Sequence, residues 1–204
     1  MTVLFLSLAF AALATFGGFM WAALSDRERR LVEQAITDPL TGAYNRRHLE
    51  FCLDQAVARR ARTAEPASLL LIDVDYFKRI NDTWGHAQGD AALKRLVALV
   101  AARRRRLDVL FRLGGEEFVL LLPGTRYIGA LAVAEGLRAS VAAAALLPDG
   151  AQLSISVGVS ELAAGQSAPR WLEDADTALY RAKRSGRNRV SASGGLVLAP
   201  ARVM

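Results

Sequence analysis

The sequence predicts an α/β or α+β fold, one sheet covered by helices on at least one face, and three observations carry that prediction. Strand-like and helix-like stretches alternate from residue 38 to residue 190. The runs SLLLIDVD (68–75) and FVLLL (118–122) are short for core helices and apolar enough to be buried strands. The chain has 204 residues and is 52% hydrophobic, which suits one domain of ordinary size with a real core and makes a second domain unnecessary.

Residues 3–24, VLFLSLAFAALATFGGFMWAAL, carry no charge and reach the roughly 20 apolar residues that a bilayer span needs, so they read as one transmembrane helix. A cleaved signal peptide is the alternative, but such a peptide begins with positive charge and MTVLF has none. Arg27, Arg29 and Arg30 follow directly and mark the cytoplasmic side by the positive-inside rule. Residues 25–37 read as a short polar stalk helix. DPLTGAYNRR (38–47) supplies Pro39 and Gly42 as turn punctuation, and HLEFCLDQAVARRAR (48–62) continues as an amphipathic helix. SLLLIDVD is then a buried strand ending in acids, and QGDAALKRLVALVAARRRR (88–106) is helical. VLFRLGGEEFVLLL (109–122) reads as strand, tight turn and strand. A helix at 128–144, an alternating strand LSISVGVS (153–160) and a helix WLEDADTALYRAKRSG closed by Gly186 complete the domain at residue 191, with 192–204 a loose tail.

The formal charge of +6 and pI of about 10.1 suit an anionic partner: nucleotide, nucleic acid or anionic lipid. No aromatic stacking platform is interleaved with the arginines, which argues against nucleic acid. Cys52 is the only cysteine, so no internal disulfide forms, and with only His48 and His86 beside it the composition argues against a Cys/His zinc site. Any metal would be held by carboxylates. Asp73 and Asp75 end one strand, and the GGEE turn joins two others, so these acids converge if the strands share a sheet. Converging carboxylates repel unless protons or a cation intervene, and Mg²⁺ is the natural cation because it uses one or two carboxylates and completes its shell with water and phosphates. Gly114 and Gly115 allow positive φ and remove the Cβ atoms that would obstruct a bulky anion. Taken alone, the motif also reads as a solvated hairpin tip.

LLIDVDYFKRINDTWGHAQGDAAL, RLGGEEF and ALYRAKRSGRN, with DPLTGAYNRR and SISVGVSE, together resemble the GGDEF family of diguanylate cyclases over roughly residues 38–190. The resemblance implies a mainly antiparallel central sheet flanked by helices, similar to the polymerase palm and the class III nucleotidyl cyclases. It implies joining of two GTP molecules into cyclic di-GMP by a homodimer in which each domain presents one GTP. A binding module of the same fold, taking GTP or cyclic di-GMP without turnover, is the rival. The implied cofactor is Mg²⁺, with Mn²⁺ as the alternative. Asp73, Glu116 and the carbonyl of Val74 match the metal ligands; Glu116 is also a candidate proton acceptor. Glu117, across the turn, would support the site or a second cation. Lys78 resembles the lysine that steadies charge on the reacting phosphates, although a solvated lysine after a strand reads the same way.

Phe77, Asn81, His86 and Asp90 match substrate-contacting positions. The Asp90 carboxylate suits guanine, because it accepts from N1–H and N2–H, but Asp90 also suits an N-cap of the helix that follows. Lys183 and Arg187 resemble the residues that grip the phosphate tail; cations at a helix C-terminus also simply complement its dipole. Arg105 and Asp108 match the RxxD pattern of the family's product-binding inhibitory site, within a four-arginine run that otherwise reads as a solvated face. With the span at 3–24, the expectation is a single-pass protein of the bacterial inner membrane with its catalytic domain in the cytoplasm.

Overall fold

The computed structural model describes residues 21, 35–193, 197 and 198. The expected span at 3–24, apart from Trp21, and most of the expected stalk lie outside the described residues. Among the described residues no helix is long and apolar enough to cross a membrane. From Asp38 onward the chain forms one unit. Its elements are α1 (Arg46–Thr63), β1 (Ala67–Val74), α2 (Phe77–Trp84), α3 (His86–Arg103), β2 (Val109–Gly114), β3 (Glu117–Pro123), α4 (Tyr127–Ala143), β4 (Ile155–Glu161), α5 (Ala168–Arg184), β5 (Val190–Ala192) and β6 (Val197–Leu198).

The strands form one sheet in the order β2-β3-β1-β4-β5-β6. Every neighbouring pair is antiparallel except β4 and β5. The mainly antiparallel sheet implied by the resemblance is therefore present. All eight residues of β1 are buried, because helices cover both faces of the sheet at its centre. Period-two alternation sorts them. Leu70, Ile72 and Val74 pack with α3 residues Leu93 and Leu96 and α4 residues Ala134 and Leu137. Leu69 and Leu71 face the other way, toward Leu53 of α1 and Trp171, Ala175 and Leu179 of α5.

Asp73 shares the alternation of Leu69 and Leu71, so it lies at the end of the face covered by α1 and α5. Gly158 brings α5 close to that face. A Cβ there would stand 2.2 Å from the Ala175 carbonyl oxygen and 2.3 Å from the Leu179 nitrogen, a contact only glycine permits. The helix thus lies almost backbone to backbone on β4, and Lys183, one turn beyond Leu179, comes over the end of β1.

Two features differ from the sequence reading. Helix α2 begins immediately after β1, where no helix is expected, because Tyr76 takes a left-handed φ of 56° and turns the chain within two residues of the strand. The stretch expected to be a loose tail contributes Ala192 to β5 and Val197–Leu198 to β6. Strands of three and two residues offer too few positions for alternation to show.

Candidate active site

The central acids meet as a pair of neighbouring strand ends allows. β1 and β3 run antiparallel with Asp73 directly opposite Glu117, and directly opposed residues share a face. The β1–β3 register is continuous from Ala67 opposite Pro123 to Asp73 opposite Glu117, and the bulge between Arg112 and Gly114 falls in the β2–β3 pairing. Glu117, the first residue of β3 after the turn, has its Cα registered with Asp73. Glu116 stands at the turn, half-buried, and its carbonyl accepts the Val74 N–H at 3.3 Å. Asp73, Val74 and Glu116 are therefore brought together, as the sequence reading expected.

The turn itself is braced. Arg112 donates from Nε and Nη2 to the Gly115 carbonyl at 3.1 and 2.7 Å, and from Nη1 to Asp38 Oδ1 at 2.9 Å. Burial pushes the Asp38 carboxyl up, but the Thr41 hydroxyl and the Arg112 guanidinium outweigh it and hold the group below its ordinary value. Gly115 has φ 52°, so the tight turn uses the left-handed region that glycine enters without penalty.

Asp73 is only 6% exposed. Its carboxyl rises to about 6: burial is the largest cause and Glu116 and Glu117 add to it, while the Lys183 ammonium pulls the other way. Lys183 Nζ sits 2.7 Å from Asp73 Oδ2. The sequence reading sends Lys183 to phosphate, and the structure shows it supplying the positive charge that Asp73 needs. The donors gathered here are hard oxygens under like-charge repulsion, which fits a hard divalent cation taking one or two carboxylates and leaving room for phosphate. Among the described residues no three His, Cys, Asp or Glu side chains form a ready-made metal cluster. The fit is thus to a cation shared with a ligand, not to a closed protein cage.

Asp75, 4% exposed, plays a different part. It accepts from Ser156 Oγ at 2.7 Å, Ser154 Oγ at 2.7 Å and the Asn188 N–H at 2.9 Å. Asn188 Oδ1 in turn accepts from Arg138 Nη1 at 2.8 Å, and Arg138 is clamped by Glu135. This chain of contacts ties the loop after α5, which carries Arg187, to the end of β1. Sequence reading does not find it, because its members lie on four elements with no common spacing.

On the other side of β1, α2 and α3 carry the residues expected at the base. Asn81 lies on α2. A Cβ on Gly89 would stand 1.9 Å from Asn81 Oδ1, so the missing side chain at Gly89 makes room for the Asn81 amide. Asp90 and His86 are exposed on α3. The helix begins at His86 with Gly85 as its N-cap, so Asp90 lies inside the first turns and is not the cap. Lys78 is exposed near the start of α2. Phe77, expected to contact substrate, is 7% exposed and its side chain belongs to the core.

The Arg105–Asp108 turn is a separate place. Asp108 is 3% exposed and its Oδ2 accepts the Arg105 N–H at 2.7 Å, closing the turn after α3. Arg105 is exposed.

The architecture and these motifs have close counterparts. A family model described as "Diguanylate cyclase, GGDEF domain" matches residues 35–189. Diguanylate cyclase DgcP of Pseudomonas aeruginosa is 44% identical over 160 residues, covering 78% of this chain and 24% of that protein. The solved coiled coil and GGDEF domain of DgcB from Caulobacter crescentus, in complex with c-di-GMP, matches with a TM-score of 0.83 at 29% identity, over 90% of this chain and 98% of that one. The active GGEEF domain of a diguanylate cyclase from Vibrio cholerae matches with a TM-score of 0.71 at 35% identity, over 74% of this chain and 98% of that one. The chain spans less than half the length of the curated relatives it matches. The family match over residues 35–189 and the identity to diguanylate cyclases over most of the chain agree: the chain belongs to the GGDEF domain family.

Proposed function

We propose that this chain is a diguanylate cyclase that condenses two GTP molecules into cyclic di-GMP and releases two pyrophosphates. The observation that carries the proposal is the meeting, at one sheet end, of the buried Asp73, the Glu116–Glu117 turn and Lys183. In each of two successive condensations, a ribose 3′-hydroxyl attacks the α-phosphorus of the other GTP. The new O–P bond forms as the bond to pyrophosphate breaks, and the hydroxyl proton leaves to a carboxylate or water. Asp73, Glu116 and the Val74 carbonyl would hold Mg²⁺ or Mn²⁺. Such an ion acidifies the hydroxyl and neutralises phosphate charge. Glu116 would take the proton, and Glu117 would add negative charge that draws the cation in. Lys183 exchanges Asp73 for phosphate when nucleotide binds, and Arg187 grips the phosphate tail as a planar fork. Lys78 steadies the reacting phosphates. Asn81 and Asp90 read guanine, with His86 beside them; adenine offers no N1–H donor and would leave Asp90 without its partner.

One domain offers one GTP, so the reaction needs two copies facing each other. The apolar stretch at 3–24 and the arginines after it support a single-pass anchor in the bacterial inner membrane with the domain on the cytoplasmic side. Arg105 and Asp108 are the proposed product site, supported by their spacing and by the exposure of Arg105. Incubating the purified full chain with GTP and Mg²⁺ and identifying the product by mass tests the reading. Cyclic di-GMP with pyrophosphate is expected; GTP bound but returned intact would make this a binding module instead.

A further inference from the structure

Tyr76 and Arg187 are both bulky residues held in the left-handed region, at φ 56° and 60°. Such a backbone persists in non-glycine residues only where the surroundings over-determine it. Here they do, through one shared link. Tyr76 follows Asp75 and Arg187 precedes Asn188, and the Asn188 N–H donates to Asp75 Oδ2 at 2.9 Å. Asn188 itself is left-handed, at φ 45°, so Tyr76 on one side and the Arg187–Asn188 pair on the other meet at a single hydrogen bond between the α2 start and the loop after α5. Their side chains meet outside it: the Arg187 guanidinium lies 4.5 Å from the centroid of the Tyr76 ring, and its Nη1 is 3.5 Å from the Tyr76 hydroxyl. Tyr76 is 52% exposed, so burial of an apolar ring does not explain its place.

We infer that Tyr76 is a positioning residue: its ring is the platform that orients the Arg187 guanidinium toward the phosphate tail. The inference rests on the reading of the site given above, in which Arg187 meets phosphate. An unanchored arginine must freeze several rotors on binding an anion, whereas one already lying flat on an aromatic face has lost much of that freedom beforehand. The face also leaves the guanidinium edge, with its forked N–H donors, available for phosphate. Arg79 approaches the same ring from 5.6 Å, so the effect of Arg187 has to be separated from it.

A double-mutant cycle on the full chain makes that separation. The probe is 3′-deoxy-GTP, which lacks the attacking hydroxyl and is bound without being condensed, with GMP as the ligand that lacks the outer phosphates. Tyr76→Ala is expected to weaken 3′-deoxy-GTP binding about two- to fivefold. GMP binding stays unchanged. Tyr76→Phe, which keeps the ring, restores the affinity, and Tyr76→Leu, which keeps bulk without a π face, does not. In an Arg187→Ala background, Tyr76→Ala has no further effect. Equal weakening by Tyr76→Ala with and without Arg187 overturns the inference, as does tighter binding of 3′-deoxy-GTP by Tyr76→Ala, which would make the ring a place that withholds Arg187. Failure of the unsubstituted chain to bind either nucleotide overturns the site reading and this inference together.

Discussion

Two carboxylates two residues apart at the end of β1 occupy opposite surroundings. Asp75 has three neutral donors, from Ser154, Ser156 and the Asn188 backbone, and each makes a bond of ordinary length. Asp73, equally buried, has one ammonium and two like-charged neighbours, and its carboxyl rises to about 6. A satisfied buried acid contributes to the fold, and an acid left under repulsion is one whose surroundings suit an added cation. The contrast suits Asp75 to structure and Asp73 to the proposed chemistry, although in sequence they read as one DVD.

The largest expected effect lies at the turn. Glu116→Gln should lower kcat for cyclic di-GMP formation about a hundredfold or more, since it removes charge placed at the reacting centre. Glu117→Gln, exposed and registered opposite Asp73, should cost less; steady-state rates on both variants decide the split. A larger loss for Glu117→Gln would move the ligand role to the residue that the register pairs with Asp73.

Next in size is Asp75→Ala. It leaves the Ser156 hydroxyl and the Asn188 N–H without their partner, which should lower unfolding free energy by about 2–4 kcal/mol in a urea titration. A change within about 0.5 kcal/mol, the range of an ordinary surface substitution, would erase the contrast.

The pH dependence sharpens it further. The folded-state pKa of Asp73, raised to about 6, exceeds the ordinary carboxyl value, so the native state holds more protons than the unfolded one between the two. In metal-free protein this group therefore makes stability fall as pH rises from about 4 to 6, by on the order of 2 kcal/mol. Urea midpoints across that window check the sign, and Asp73→Asn should remove this contribution from the slope.

The smallest effect is at the base side. In Gly89→Ala the new Cβ forces the Asn81 amide to move, and KM for GTP should rise about fivefold with kcat little changed, a loss near 1 kcal/mol. Asp90→Ser should reduce the preference for GTP over ATP, read as the ratio of kcat/KM values.

Much of this was legible in the sequence, and the misses have local causes. The runs SLLLIDVD and FVLLL identified the central strands because both faces are covered and nearly every residue is apolar. The acids at their ends pointed to the candidate site, since nothing in an apolar core calls for them. Helix α2 was hidden because its start depends on the left-handed turn at Tyr76, a conformation that a tyrosine does not announce. The pairing of Glu117 with Asp73 was hidden because alternation within each strand does not say which residues of two strands stand opposite each other. Asp108, matched in the sequence to a product-binding pattern, is buried because it closes its own turn, a contact that the spacing alone does not reveal. The Asp75–Asn188–Arg138 chain depends on contacts between residues far apart in sequence, which no single spacing encodes.

Asp73→Asn, scored in one preparation for cyclic di-GMP formation from GTP and Mg²⁺ and for thermal unfolding, tests the central claim most directly. The account predicts that product formation is lost while the unfolding midpoint at neutral pH stays equal or rises, because a repelled charge has gone. Undiminished product formation, or a midpoint that falls as far as in Asp75→Ala, would contradict it.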